Sequence, residues 1–371
     1  MTRRYLGEEA RGRFAEARVD AIRRLGAVAR ESGCSFIAVC GDVFESNHVD
    51  RRTIVRAATA MAEVELPFVL LPGNHDPLDA ASVFDSAAFR STAPERIHVL
   101  RDSLPLELLP GVQVVGAPWS NKHPGRDLVA ELCAAQEPTQ KGLVRIALAH
   151  GAVDALSPDQ KDPALISLAA VEGALRDGRL HYLALGDRHS LTSVGSSGRV
   201  FYAGAPEPTD WNEVMPGQAL VVSVDAEQIE TTAHPIATWR FVRRSPIPLA
   251  DADDLDALST WLDELPDKAR TVLRLGFEGT LDLTNAARLT SILAHARDLF
   301  AAVTEREHDL AILADDADFD SLSLSGFAAA SVARLREEAK LPADGQVAQD
   351  ALALLVRLAS AGADRDVERP A

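Results

Sequence analysis

The feature that most constrains this chain is a form repeated four times, a short apolar run that ends abruptly in glycine and polar side chains. Phe36-Ile37-Ala38-Val39-Cys40 leads into Gly41-Asp42, and Phe68-Val69-Leu70-Leu71 into Pro72-Gly73-Asn74-His75-Asp76. Ile146-Ala147-Leu148-Ala149 leads into His150-Gly151, and Tyr182-Leu183-Ala184-Leu185 into Gly186-Asp187-Arg188-His189. Each run is too short for a helix between such flanks and rich in strand formers, so each reads as a buried strand. Between them stand stretches of helical periodicity. Residues 11 to 30 place Phe14, Ala17, Val19, Ile22, Leu25, Val28 and Ala29 on one side, and further helices are expected around Thr53 to Val64 and Asp127 to Ala135. Strands and helices in alternation predict an α/β chain, with more strands at 112 to 116, 199 to 203 and 219 to 224.

In open α/β sheets ligands bind beyond the carboxyl ends of the strands. Asp42, Asn74, His75, Asp76, His150, Asp187 and His189 all fall there and are expected to converge. Carboxylate, amide oxygen and imidazole together suit Mn, Fe or Zn, and the lack of thiolate argues against a closed structural zinc cage. An open catalytic site fits better. Two cations about 3.5 to 4 Å apart would activate a water and hold phosphoryl oxygens, with Asp42 the natural bridge. Each motif alone is weak, since a Gly-Asp after a strand is common and Asn-His-Asp suits an ordinary turn. Four in one chain are hard to explain as turns. His48, His98, His123, His181, His234, His295 and His308 lack partners at metal spacing and read as packing or surface groups; Trp119 and Trp211 flank the site or pack.

With Phe14-Ala15-Glu16-Ala17-Arg18, Gly41-Asp42-Val43-Phe44-Glu45-Ser46-Asn47, Gly73-Asn74-His75-Asp76, Ala149-His150-Gly151 and Tyr202-Ala203-Gly204-Ala205-Pro206-Glu207 in view, the chain resembles the calcineurin-like metallophosphoesterases. Within that superfamily it is most similar to the nuclease subunits of bacterial SbcCD complexes, counterparts of the eukaryotic meiotic-recombination nuclease. The resemblance covers residues 1 to 235. It implies a layered metallophosphoesterase β-sandwich flanked by helices, with a smaller C-terminal α/β capping domain. It implies Asp42 as bridging ligand, Asn74 and His150 on one metal, His189 on the other, His75 as acid beside the scissile phosphate, and Asp76 orienting His75. Two divalent ions are implied, Mn first, with Mg, Fe or Zn as alternatives. The implied activity is exonucleolytic or endonucleolytic hydrolysis of DNA phosphodiesters at double-strand ends, by a homodimer working with an SbcC-like coiled-coil ATPase in DNA repair.

Two departures stand out. Asp187 occupies the place of the first His of the family's GHxH, a harder ligand that suits Mn or Mg better than Zn. No DxH motif stands upstream of Asp42, and the chain is expected to begin inside the loop after the strand that carries it, leaving a central sheet position vacant. An inactive scaffold subunit, or a small-molecule or protein phosphoesterase, is the alternative function.

Near residue 236 the pattern changes. Val272-Leu273-Arg274-Leu275 predicts a strand, and Leu289, Ile292, Leu293, Ala296, Leu299, Phe300 and Val303 a helix. The expected domains are 1–235, a nuclease domain lacking its first strand, 236–340, the capping domain, and 341–371, a C-terminal helix and disordered tail. Helices are expected at 326 to 338 and 347 to 359, on which the resemblance places the ATPase docking surface.

Charge bears on the partner. The net charge of −17 argues against non-specific coating of nucleic acid. Residues 1 to 56 nevertheless hold 11 Arg against 8 acidic groups, while 236 to 371 hold 15 basic and 24 acidic. Arg3, Arg4, Arg51 and Arg52 are therefore the candidate DNA contacts, with a solvated helix face as their ordinary role. Cys34, Cys40 and Cys133 form neither an even disulfide set nor a CxxC pair, and no run approaches 18 apolar residues, so a reduced cytoplasmic chain without a membrane span is expected.

Overall fold

The computed structural model describes residues 5–225, 228–306, 309–313, 326–339, 345, 347–348 and 351–352. Its described residues form a mixed α/β chain of two compact units, 12–239, and 5–11 with those from 240 onward. The division falls between Trp239 and Arg240, a few residues beyond the change of pattern in the sequence. No helix among the described residues is long and apolar enough to cross a membrane.

In the first unit, strands β1 (Ile37–Cys40), β2 (Phe68–Leu71) and β3 (Ile97–Val99) form a parallel sheet in that order. A second sheet has the order β4 (Leu106–Leu109), β5 (Val112–Gly116), β6 (Val144–His150), β7 (Tyr182–Gly186), β9 (Val200–Tyr202), β8 (Thr192–Ser193). Its central strands β5, β6, β7 and β9 are parallel. Alternation along a strand sends successive side chains to opposite faces, and here each face has its own core. Phe68 and Leu70 pack with Ala29 of α1 (Glu8–Glu31), Ile54, Ala57 and Met61 of α2 (Arg51–Glu63) and Phe89 of α3 (Ala87–Thr92). Val69 and Leu71 turn the other way and share a cluster with Ile146, Leu148 and Tyr182. Ala147, Ala149, Leu183 and Leu185 face α4 (Leu128–Ala135) and α5 (Leu168–Arg176) through Leu132, Cys133, Val171 and Ala174. The six-stranded sheet is thus apolar on both faces, which is why β6 and β7 read as continuous apolar runs.

β1 departs from the expected buried strand. It is an edge strand, and Ala38 is exposed. Its carboxyl end nevertheless abuts β7 so closely that a Cβ on Gly186 would stand 1.6 Å from the Cys40 carbonyl oxygen. Gly186→Ala is therefore expected to destabilise the chain by at least about 3 kcal/mol, the upper range of overpacking penalties, because the obstacle is backbone. Urea unfolding checks this; wild-type stability would mean that β1 and β7 can separate at no cost. The hairpin of β10 (Gln218–Val224) and β11 (Ile229–Pro235) completes the unit's strands.

The second unit has a sheet in which β13 (Thr271–Asp282) pairs in parallel with β12 (Arg240–Leu249), β14 (Ala302–Glu305) and β15 (Asp309–Leu313). Leu273, Leu275 and Phe277 pack against α6 (Ala252–Glu264) and α7 (Leu283–Leu299) through Leu255, Leu258, Leu289 and Leu293. Val303, expected on the helix, lies in β14 instead, because α7 ends at Leu299 and the apolar spacing runs past its end. A further helix, α8 (Phe327–Glu338), lies where the spacing puts it. Of the expected helix at 347 to 359, residues 347–348 and 351–352 are described, as helix; the rest, with the tail from 362, lies outside the described residues.

Candidate metal centre

The chain ends of β1, β2, β6 and β7 carry Asp42, Asn74, His150 and Asp187 to one place. The His150 ring, almost fully buried, is its centre. Its Nδ1 stands 2.8 Å from the Cys40 carbonyl oxygen. A carbonyl only accepts, so the proton belongs on Nδ1. Nε2 then faces three oxygens: Asn74 Oδ1 at 3.0 Å, Asp42 Oδ2 at 3.4 Å and Asp187 Oδ1 at 3.9 Å. The close approach of β1 requires Gly41, because a Cβ there would stand 2.1 Å from His150 Nδ1. Trp119 donates its indole N–H to the His150 carbonyl at 2.8 Å and meets the ring edge-on, while Tyr202 donates its hydroxyl to the Gly151 carbonyl at 2.7 Å.

The strand ends are also where the backbone is unusual. Asp42 and Asp187 adopt positive φ, 55° and 94°, conformations that cost side-chain-bearing residues free energy and gather at functional sites. Asp42 Oδ1 accepts the His75 backbone N–H at 3.0 Å. Burial pushes the Asp42 carboxyl up, but the hydrogen bond and charge of His150, with the His75 N–H, hold it below the ordinary value. Burial likewise pulls the His150 imidazole down, and Asp42 and Asp187 more than reverse this. Three oxygens and one ring nitrogen therefore gather where a positive charge is needed. A proton on His150 supplies it; the same donor set, two carboxylates, an amide oxygen and an imidazole, fits a hard or borderline divalent cation. Among the described residues no group of three or more His, Cys, Asp or Glu stands ready to hold a metal ion.

His189 lies at the exposed rim, its side chain half exposed, and is coupled through charge to Asp187 and Asp42. Its Nδ1 contacts Thr209 Oγ1 and, at 3.0 Å, Glu213 Oε1. The hydrogen bond to Glu213 raises the imidazole above its ordinary value despite partial burial. Neither Thr209 nor Glu213 is legible as a site residue in the sequence, for they stand 20 and 24 residues from His189 in an irregular loop.

Asp76 does not reach the His75 ring that it was expected to orient. The His75 ring is oriented by the Glu45 carbonyl, 3.0 Å from Nδ1. Asp76, fully buried, instead accepts the backbone N–H groups of Phe44 at 2.9 Å and Gly73 at 2.8 Å. Its carboxylate ties the loop after β1 to the loop after β2, and so sets Asn74 and His75 through the backbone. Burial pushes its pKa up to about 6, against the two amide hydrogen bonds.

Arg51 and Arg52 are exposed on the first turn of α2, behind the N-cap Asp50 that accepts from Thr53 N. Arg3 and Arg4 lie outside the described residues. Trp211 is buried, and His181 is a packing residue whose Nδ1 accepts the Arg145 N–H.

No family model matches the chain, and no curated protein matches its sequence. Among solved structures, TT1561 of Thermus thermophilus is similar at 12% identity and a TM-score of 0.39, over 58% of this chain and 93% of that one. A second crystal structure is similar at 17% identity and a TM-score of 0.39, over 59% of this chain and 95% of the other.

Proposed function

We propose that this chain is a metal-dependent phosphodiesterase with a layered metallophosphoesterase β-sandwich, acting as the nuclease subunit of an SbcCD-like DNA repair complex. The observation that carries the reading is the gathering of Asp42, Asn74 and Asp187 oxygens around His150 Nε2, at the carboxyl ends of four separate strands. The apolar cluster shared by the two sheets of the first unit supports the sandwich. Asp42, Asn74, His150, Asp187 and His189 would hold the divalent ions, with Mn favoured by the oxygen-rich set. When bound, such ions stabilise charge on phosphoryl oxygens and make water a better nucleophile.

The chain's own residues account for the rest. Donation from His75 Nδ1 to the Glu45 carbonyl leaves Nε2 to face the phosphate. In the imidazolium form of His75, with a proton on each ring nitrogen, the leaving oxygen takes the Nε2 proton as water attacks phosphorus and the P–O ester bond breaks, and the proton of the attacking water passes to solvent. The Asp42 carboxylate fixes the His75 backbone meanwhile. DNA ends as substrate, an SbcC-like ATPase as partner, the homodimer and the cytoplasmic setting rest on the sequence motifs.

The test is Mn²⁺-dependent cleavage of linear duplex DNA beside a small diester and a phosphopeptide. Cleavage of the duplex is expected, with binding that weakens as salt rises. Replacing Arg51 and Arg52 together with Ala should lower the slope of log affinity against log salt by about one to two, at roughly 0.9 per phosphate neutralised. An unchanged slope moves the DNA path elsewhere. Cleavage of the diester or phosphopeptide alone removes the nuclease assignment, and no cleavage with no metal bound favours a scaffold.

A further inference from the structure

The loop between β9 and β10 contains a buried carboxylate that reaches an exposed ring. The Glu213 side chain is 6% exposed and the His189 side chain 50%. Burying a carboxylate is costly unless donors surround it, and this one accepts from the Thr209 backbone N–H at 2.9 Å, from the Thr209 hydroxyl, and from His189 Nδ1 at 3.0 Å. With its hydroxyl proton directed to Glu213, Thr209 Oγ1 is an acceptor toward the ring. Both oxygens at Nδ1 are therefore acceptors, and the ring must carry its proton there.

We infer that Thr209 and Glu213 are positioning residues that hold His189 as the Nδ1–H tautomer, so that Nε2 is the nitrogen offered to a cation beside Asp42 and Asp187. The use of that nitrogen rests on the metal reading given above; the clamp itself rests on the geometry. An exposed ring has little packing to orient it, so fixing it requires hydrogen bonds from a rigid support. The support is fastened at several points. Ala205 N donates to the His189 carbonyl at 3.0 Å, and Val214 N to Ser190 Oγ at 2.9 Å. Glu207, in the same loop and 2% exposed, accepts from Arg24, from the Thr238 N–H at 3.1 Å and from the Trp239 N–H at 3.0 Å. The loop therefore keeps its shape while His189 stands in solvent.

The experiment uses the full chain with Glu213→Ala, Glu213→Gln and Thr209→Val. Long-range ¹H–¹⁵N spectra of the metal-free protein report the His189 tautomer, and calorimetric titration with Mn²⁺ reports affinity. In the unsubstituted chain Nδ1 is expected protonated and Nε2 bare. Glu213→Ala should give a tautomer mixture and weaken Mn²⁺ binding by about 10- to 100-fold, while Glu213→Gln, which keeps an acceptor oxygen, restores part of both. A His189 spectrum unmoved by Glu213→Ala overturns the clamp. A moved spectrum with unchanged Mn²⁺ affinity overturns its role toward the metal. Failure of the unsubstituted chain to bind Mn²⁺ overturns the metal reading instead, and the spectra alone then decide the clamp.

Discussion

Asp42→Ala is expected to abolish cleavage of duplex DNA and to lose bound Mn²⁺, whereas His75→Ala abolishes cleavage and keeps the metal. The difference follows from which atoms each residue contributes. Asp42 presents Oδ2 toward His150 Nε2 at 3.4 Å and Oδ1 to the His75 N–H at 3.0 Å, so its removal takes away both a charged ligand and the anchor of the next loop. His75 meets Asp42 through its backbone, a contact that alanine retains. Only the ring, oriented by the Glu45 carbonyl, is lost. Removing a single group that stabilises developing charge costs about 10²- to 10³-fold in rate, and both variants should fall at least that far. Cleavage assays with metal analysis of the purified variants check this. Equal metal loss in the two would make His75 a ligand rather than the proton donor.

The second large effect concerns Asp76. Its carboxyl is pushed up to about 6 from 3.8, chiefly by burial, with the Asp42 charge adding to it. For an acid raised in the folded state, the linked stability is fully present below the unfolded value and is lost as pH rises through about 6. The full difference is about 3 kcal/mol, of which about 1 kcal/mol falls between pH 5 and pH 8. Asp76→Ala also leaves the Phe44 and Gly73 N–H groups without their acceptor, at about 1–3 kcal/mol each. At pH 8 the release of a buried charge offsets part of that cost, and a net destabilisation of about 2 kcal/mol is expected. At pH 5 it should be larger by about 1 kcal/mol. Urea unfolding of both proteins at the two pH values measures the difference. A gap that stays constant with pH would mean that Asp76 titrates normally.

Much of the architecture could be read along the chain because the signals are local. A run such as Ile146-Ala147-Leu148-Ala149 has apolar side chains on both faces of the strand, and such a strand must be covered on both sides. Strands open to solvent carry a weaker signal: β11 is exposed along most of its length and β12 mixes exposed with covered residues, so neither forms an apolar run. Helix and strand share the same apolar alphabet, so Val303 could be assigned to its strand only by the end of α7.

The site divides in the same way. That Asp42, Asn74, His150 and Asp187 stand at strand ends follows from four apolar runs, and parallel pairing brings the ends within each sheet to one edge; that two separate sheets meet at those edges is tertiary. What those groups do to one another depends on distances that no sequence spacing encodes. Asp76 looks like the partner of its neighbour His75, yet burial directs its carboxylate to two backbone amides, where the unmet need for an acceptor is greater. Thr209 and Glu213 reach His189 only because the loop after β9 folds back over Ser190. The sequence by itself determined which side chains stand at the strand ends, since that depends on neighbours in the chain. Tertiary structure alone decided which nitrogen of each histidine is engaged, because a ring's proton goes where an acceptor from a distant segment is brought to meet it.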